Sequence, residues 1–318
     1  MVVLGGAGFI GRRVVGKLVA DGWDEVVAVS RRGTPANSVP GVVYLKADAT
    51  AEAELAKVVD GTTGIVNCVT GSGDAIVNGA RALFSVAASA TNPPRIVHMS
   101  SLAAYGSSCG IVDEAAPLLG DLGEYSAAKR DAERLARSYP NAVLLRPGIV
   151  YGPESETWCG LIGRLLMQRR LGDLGAAGDG ICNLVHVDDV STAAASALKL
   201  PGIEGQAFNL GMPTAISWNQ YFEGYAKALG AVPLHRIGSV RWALELKVLG
   251  PLLKVFEIAG RALRLPSPAS PIRPWLRDLC VHELYMRVEH AESGLGLRWK
   301  PLEDGLAESA AWFHSRHS

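Results

Sequence analysis

The sequence has no excess of either charge. Lys and Arg number 31 and Asp and Glu number 31, so the formal net charge is zero. That excludes a chain drawn as a whole toward nucleic acid, and no nucleic-acid partner is expected; only a local patch stays open to it. Cysteine is scarce and unpatterned. Cys68, Cys109, Cys159, Cys182 and Cys280 are the five, and no two stand at C-x-x-C spacing. A disulfide framework and a metal site are therefore not expected, and a reducing, cytoplasmic setting fits. Met1-Val2-Val3-Leu4 runs straight into glycines, without a basic segment and an apolar stretch, so no secretory leader is expected. A long uncharged hydrophobic run is also missing. The most apolar long stretch, Val240 to Leu265, carries Arg241, Glu245, Lys247, Lys254, Glu257, Arg261 and Arg264, which forbids a spanning helix.

Hydrophobic residues make up 48% of the chain against 19% charged, enough for a large core. Glycine is in surplus, with 36 in 318 residues, against a usual share of about 7%. The length allows two domains of roughly 100–200 residues or one large α/β unit. The first half alternates short β-branched runs with helix-period segments. The strands expected are Met1–Leu4, Glu25–Ser30, Val42–Lys46, Gly64–Val69, Arg95–Ser100 and Ala142–Arg146. Between them, helices are expected at Phe9–Ala20, Ala51–Val59, Ala75–Ala90 and Tyr125–Ser138. Apolar, non-alternating strands in such an order imply an α/β fold with a doubly wound parallel sheet, covered on both faces.

The order breaks after Arg146. A helix is expected at Trp158–Arg170, a loop at Gly172–Gly180 and a strand at Leu184–Val187. Helices follow at Ser217–Leu229, in two pieces across Gly250-Pro251, and at Leu302–His314, with a proline-rich loop at Pro266–Pro274. The expected organisation is a dinucleotide-binding domain at 1–150, to which 181–210 returns. A smaller, mostly helical substrate-binding lobe would comprise 151–180 and 211–318.

Gly5, Gly8 and Gly11 form G-x-x-G-x-x-G between the first strand and the first helix. In such a turn the first glycine permits the bend, the second lets backbone approach a pyrophosphate, and the third lets helix meet strand. Gly8, Phe9, Ile10 and Gly11 open the helix whose N–H groups would hold the phosphates. A glycine-rich turn without a ligand is the plain alternative. The second strand ends in Ser30, Arg31 and Arg32. An acidic residue there would bind ribose hydroxyls, whereas guanidinium groups suit a 2′-phosphate. NADP is therefore expected ahead of NAD, the alternative being two solvated loop arginines. Asp48 and Ala49 follow the third strand, where Asp48 could face the adenine amino group or merely shape a turn.

Tyr125 and Lys129 stand four apart, on one face of the expected helix. An ammonium beside a phenol favours phenolate, which suits proton exchange with an alcohol. Ser100 and Ser101 end the preceding strand, where ligands sit in such sheets. Either of these, or Tyr105, could hydrogen-bond a substrate oxygen.

These features resemble the extended short-chain dehydrogenase/reductases, including the NAD-dependent epimerase/dehydratases. The resemblance is carried by Gly5-Gly6-Ala7-Gly8-Phe9-Ile10-Gly11, by His98 through Gly106, by Tyr125 to Lys129, by Leu145 through Pro153, and by Val185 through Val190. It spans residues 1 to about 210, and the tail Gly296–Trp312 is also similar. It implies a Rossmann fold and a Ser101/Tyr125/Lys129 catalytic set, because the family's serine lies four residues before the tyrosine of its Tyr-Gly pair, here Tyr105. Tyr125 would be the acid/base. Lys129 would favour its phenolate and hold the nicotinamide ribose, and Ser101 would polarise the substrate oxygen. Pro147, Gly148, Ile149 and Val150 would line the nicotinamide end. Cys68, Val69 and Thr70 would lie beside the cofactor. A homodimer through the helices near Ala75–Ala90 and Tyr125–Ser138 is implied as well. One departure is Leu4, where a threonine is common.

The resemblance also bears on substrate. Nucleotide-sugar members commonly carry an arginine four residues before the histidine of their His-Val-Asp-Asp stretch. Here, before His186, that position is Cys182, which cannot neutralise a diphosphate. Arg169, Arg170 or Arg273 could substitute. His186 is expected as a packed histidine, with Asp188 and Asp189 capping the next helix. Trp242, Leu246, Leu249, Leu253 and Phe256 form a helical apolar stripe. It could be core, a lid over an apolar substrate, or a peripheral membrane contact, and it resembles the 3β-hydroxysteroid dehydrogenase-like branch. The expectation is an NADP-preferring oxidoreductase acting on a secondary alcohol or ketone of an apolar, steroid- or terpenoid-like small molecule. A nucleotide-sugar 4-epimerase or dehydratase with recycled NAD(P) is the alternative.

Overall fold

The computed structural model describes residues 1–35, 37–250, 252–254, 256 and 271–317. Two compact units are present. The first comprises Met1–Val150, Val185–Pro213 and Met286–Trp299, and the second Tyr151–Leu184, Thr214–Tyr285 and Lys300–Ser318.

In the first unit the chain order is β1 (Val2–Leu4), α1 (Phe9–Ala20), β2 (Val27–Ser30), β3 (Val43–Lys46), α2 (Glu52–Val59), β4 (Gly64–Asn67), α3 (Gly73–Ala88) and β5 (Arg95–Met99). A short β6 (Gly110–Val112), α4 (Glu124–Arg137), β7 (Ala142–Pro147) and β8 (Ile149–Tyr151) follow. The chain returns with β9 (Leu184–His186), α6 (Val187–Lys199) and β10 (Ala207–Leu210). Seven strands form one parallel sheet in the order β10-β7-β5-β4-β1-β2-β3. This is the doubly wound architecture expected. Strands β1, β4 and β7 are buried throughout, while edge strand β3 exposes Val43 and Leu45.

Alternate side chains of each strand enter opposite layers. Val3, Val66 and Val97 pack with Val14, Leu18 and Val190 from α1 and α6. Val2, Leu4, Ile65 and Ile96 pack with Leu55, Leu83 and Ala132 from α2, α3 and α4. Each fully buried Val, Leu or Ile contributes about 1.5–3 kcal/mol, so the two layers hold the strand ends firmly. From β1 the chain winds outward to β2 and β3, then crosses back to β4 on the other side of β1, which makes the C-terminal ends of these strands the ligand-binding edge of such a sheet.

The second unit contains a π-helical turn (Glu156–Leu161), α5 (Ile162–Met167), α7 (Trp218–Ala228), α8 (Ser239–Leu244) and helices Pro274–Cys280 and Leu302–His317. Ser217 caps α7 through a reciprocal capping box with Gln220.

Several boundaries differ from expectation. β2 starts at Val27 because Glu25 is left-handed at φ 52°, which breaks an extended run. The helix expected at Trp158–Arg170 is a π turn followed by α5, ending before Arg169, whose φ is 56°. The Gly172–Gly180 loop contains a 3₁₀ turn at Gly175–Gly178. Pro251 and residues 257–270, hence most of the proline-rich loop and the end of the Val240–Leu265 stretch, lie outside the described residues. Among the described residues no helix is long and apolar enough to cross a membrane.

Candidate active site

The turn after β1 needs glycine at particular positions. Gly5 has φ +75°, and a Cβ there would come 2.8 Å from the Cys68 carbonyl oxygen. A Cβ at Gly11 would fall on the Gly5 carbonyl oxygen, far inside contact distance. Gly5 and Gly6 donate their N–H groups to the Val29 carbonyl at 2.9 and 3.1 Å, which pins the loop to β2. Gly8 caps α1 without any side-chain hydrogen bond, and the first turn, with Phe9 and Ile10, holds no carboxylate. The helix therefore keeps its positive end and backbone donors for an anion. These residues fit the pyrophosphate of a dinucleotide.

Ser30 donates its hydroxyl to the Gly33 carbonyl at 3.1 Å, and Arg31 and Arg32 are exposed beyond it. Asp48 accepts from the Thr50 N–H at 2.9 Å and its hydroxyl at 2.8 Å. Those bonds, with the Arg31 charge, hold its carboxyl below the usual range against a small opposing effect of burial. Asp48 thus shapes the turn before half-buried Ala49. Cys68 donates its N–H to Leu4 at the end of β1. Burial pushes its thiol up to about 12, although the Lys129 charge acts the other way. Val69 is half-buried and Thr70 exposed.

Tyr125 and Lys129 lie one turn apart on α4 with opposite environments. Tyr125 is 46% exposed and Lys129 only 4%. The Lys129 Nζ donates to the Met99 carbonyl at 2.8 Å and stands 5.9 Å from the centre of the Tyr125 ring. Ser101 caps the 3₁₀ turn Leu102–Tyr105 by accepting the Ala103 N–H at 3.1 Å. Ser126, next to Tyr125, donates to the Ala103 carbonyl at 2.7 Å. Ser101 and α4 are thus fastened to the same residue. Glu124 secures the other side by accepting the Gly73 N–H at the start of α3, at 2.8 Å.

Of the three candidates for holding a substrate oxygen, two are committed elsewhere. Ser100 is buried and donates to Glu133 at 2.6 Å. Tyr105 is fully buried, donates to Asn209 at 2.7 Å and accepts from Arg146 at 2.6 Å. Ser101 remains half-buried, with its own O–H free to turn outward. Pro147, Ile149 and Val150 are buried where β7 gives way to β8, and the Gly148 N–H donates to Leu210 at 2.9 Å.

Sequence reasoning missed the support beneath this site. Glu133 follows Lys129 by four residues, so Tyr125, Lys129 and Glu133 share one face of α4. Its carboxylate accepts from Arg146 Nη2 at 2.6 Å, from Arg137 at 3.0 Å and from Ser100. Burial alone would raise that carboxyl, but Arg146, Ser100 and Arg137 together hold it below the usual range. The signal available was the four-residue ladder itself.

His186, expected as a packed histidine, is buried and also caps α6 by accepting the Asp188 N–H at 3.3 Å. Asp188 and Asp189 therefore lie in the first turn rather than at the cap. The reason is that α6 begins directly after β9, at Val187.

In the second unit, Cys182 is buried, and desolvation pushes its thiol well above the ordinary value, with Cys280 adding to the effect. Arg170 is buried in an ion pair with Glu245 at 3.1 and 2.6 Å, so that substitute for a diphosphate-binding arginine is committed elsewhere. Arg169 and Arg273 are exposed. Trp158 meets Trp218 and Trp275 at ring distances of 5.6 and 5.4 Å. The stripe from Trp242 to Phe256 is not one inward face. Trp242 is 5% exposed but Phe256 is 59%. The π turn at Glu245–Leu249 changes the helical phase between them.

A doubly wound parallel sheet with a glycine cradle at its switch point, and a Tyr/Lys pair beside a strand-end serine, defines a dinucleotide-dependent enzyme class. The chain belongs to the NAD dependent epimerase/dehydratase family, whose model matches residues 1–211. It is an NAD(P)-dependent oxidoreductase of the extended short-chain dehydrogenase/reductase type. A ceramide reductase of Caulobacter vibrioides is 27% identical over 243 residues, 73% of this chain and 71% of that protein. The UDP-glucose 4-epimerase of Thermotoga maritima, solved with UDP-glucose, superposes with a TM-score of 0.75 at 18% identity. Coverage is 100% of this chain and 99% of that one. The dTDP-glucose 4,6-dehydratase of Bacillus anthracis, solved with NAD, gives 0.74 at 19% identity, covering 99% and 96%. At such identities the likeness is one of fold. The narrower hydroxysteroid branch gains no support from these comparisons.

Proposed function

We propose that this protein interconverts a secondary alcohol and a carbonyl, with Tyr125 as the acid/base. The observation that carries the proposal is Lys129, buried beside the Tyr125 ring and tied to the end of β5. Gly5, Gly8, Phe9, Ile10 and Gly11 would hold the dinucleotide phosphates, and Lys129 its nicotinamide ribose. Ala49, Cys68, Val69, Thr70 and Pro147 to Val150 would line the rest of its path. When bound, the dinucleotide supplies or accepts the hydride. Ser101, whose oxygen already accepts the Ala103 N–H, turns its proton toward the substrate oxygen. Tyr125 gives its phenolic proton to that oxygen as negative charge develops on it, and takes it back in oxidation. The Lys129 ammonium stabilises the phenolate left behind.

NADP preference rests on this chain's own Ser30-Arg31-Arg32, since solved relatives are described with NAD. Of the two substrate classes expected, nucleotide-sugars have the broader support, because enzymes named for them match along the whole chain. A steroid- or terpenoid-like ring has none. A second reading, a lipid carbonyl, is favoured by the likeness to a ceramide reductase and by Cys182 standing in the sequence where nucleotide-sugar members carry an arginine. A homodimer through α3 and α4 completes the proposal.

The test is turnover of UDP- and dTDP-hexoses and of keto-lipids by wild type and Tyr125→Phe. The variant should lose at least about a hundredfold in kcat while binding dinucleotide nearly as before. Full activity in Tyr125→Phe refutes the mechanism.

A further inference from the structure

We propose that the exposed file Val240, Leu244, Val248, Leu252 and Phe256 is a docking surface for an anionic lipid bilayer. Val240, Leu244, Val248, Leu252 and Phe256 recur every four residues and are 83%, 56%, 48%, 52% and 59% exposed. Single exposed aliphatic residues are ordinary, but a file of five is not. A four-residue step overshoots an α-helical turn and undershoots a π turn. The π turn at Glu245–Leu249, following α8, therefore offsets the drift and keeps the file toward solvent.

Charge selects the occupant. Among the described residues of the segment 240–256 the exposed polar side chains are basic. Arg241 and Lys247 lie within it, and Arg241 donates to the carbonyl of exposed Arg169 at 2.7 Å. The acid among the described residues of the segment, Glu245, is turned inward at 5% exposure and held by Arg170. An apolar file bordered by guanidinium and ammonium groups, with its carboxylate withdrawn, matches the boundary between anionic headgroups and acyl chains. The zero net charge of the chain makes this a local attraction. The surface does not depend on which substrate the enzyme takes.

The test is co-sedimentation of the full chain with vesicles of phosphatidylcholine alone or mixed with phosphatidylglycerol. Wild type should bind the mixed vesicles in preference and release them in about 0.5 M salt, where surface charge is screened. Leu244→Glu/Val248→Glu should weaken binding about tenfold or more. Lys247→Glu should weaken it about fivefold or more. Because these side chains are exposed, melting temperatures should match wild type. Should the double variant misfold, Lys247→Glu and the salt dependence still decide. Equal binding to both vesicle types, or undiminished binding by the variants, overturns the proposal. So does a wild-type oligomer that the double variant dissolves without any vesicle binding, which would make the face a subunit contact. A change in KM for a water-soluble substrate without a vesicle effect would make it a lid, and also overturns it.

Discussion

Ser100 donates a 2.6 Å hydrogen bond to Glu133, two turns along α4 from Tyr125. The strand end that presents Ser101 is thereby tied to the helix that presents Tyr125 and Lys129. Arg146 from β7 completes the tie, with its side chain and that of Glu133 fully buried. Breaking a buried pair by removing one partner costs about 3–5 kcal/mol. Glu133→Ala should lower the melting temperature strongly, and Glu133→Gln, which keeps hydrogen bonds but not charge, should do so less. Both should reduce kcat by misplacing Ser101 against Tyr125. Calorimetry and steady-state kinetics check this, and unchanged melting in Glu133→Ala would sink it.

Acid should weaken the fold through His98. Asn67 donates to its Nδ1 at 3.2 Å, and its buried Nε2 has no partner among the described residues. Burial, then the Lys129 charge, lowers its pKa to about 3, with Glu133 opposing. The unfolded histidine titrates near 6.5. Between those values the unfolded state binds the proton and the folded state does not. The contribution is complete above about pH 6.5 and is lost as pH falls toward 3, at up to about 1.4 kcal/mol per unit. Urea unfolding at pH 7 and pH 5 should show this slope, and His98→Gln should flatten it. An equal slope in the variant removes His98 as its source.

The parts of this molecule legible in the sequence are local ones. Strand and helix runs, the glycine spacing and the Tyr125–Lys129 step each sit within one short contiguous stretch, where periodicity and sterics speak directly. What escaped is held by distant pairings. Glu133 of α4 meets Arg146 of β7, and Tyr105 meets Asn209 across the sheet. Arg170 is claimed by Glu245, which no spacing rule connects to it. The cap of α6 was misassigned because aspartate is the commoner capping residue, and His186 does the work instead. The apolar file of residues 240–256 was misphased because a π turn leaves no reliable mark in a sequence.

Cofactor choice should follow the two arginines after Ser30. Arg31 and Arg32 are exposed at the end of β2, and the Arg31 charge reaches Asp48. Arg31→Ala/Arg32→Ala should weaken NADP binding about tenfold or more, since hydrogen bonds to charged groups contribute roughly 1.5–3 kcal/mol each. NAD affinity should change little. Fluorescence titration with both dinucleotides distinguishes the cases, and equal wild-type affinities would end the phosphate-clamp idea.

Two glycines on α1 should respond to alanine with opposite signs. No atom of the described residues lies within 4 Å of a Cβ built on Gly16, so Gly16→Ala should be neutral or stabilise by about 0.5–1 kcal/mol through helix propensity. A Cβ on Gly11 collides with the Gly5 carbonyl, which is backbone and cannot swing aside. Either α1 moves away from β1 or the loop opens, and such overpacking costs roughly 1–3 kcal/mol or more. Both escapes displace the first-turn N–H groups that would face the anion, so dinucleotide affinity should fall in Gly11→Ala and stay level in Gly16→Ala. Thermal melts and dinucleotide titrations on the two variants separate a phosphate cradle from a merely tight turn. A destabilised Gly11→Ala that binds dinucleotide like wild type would leave Gly11 as packing alone.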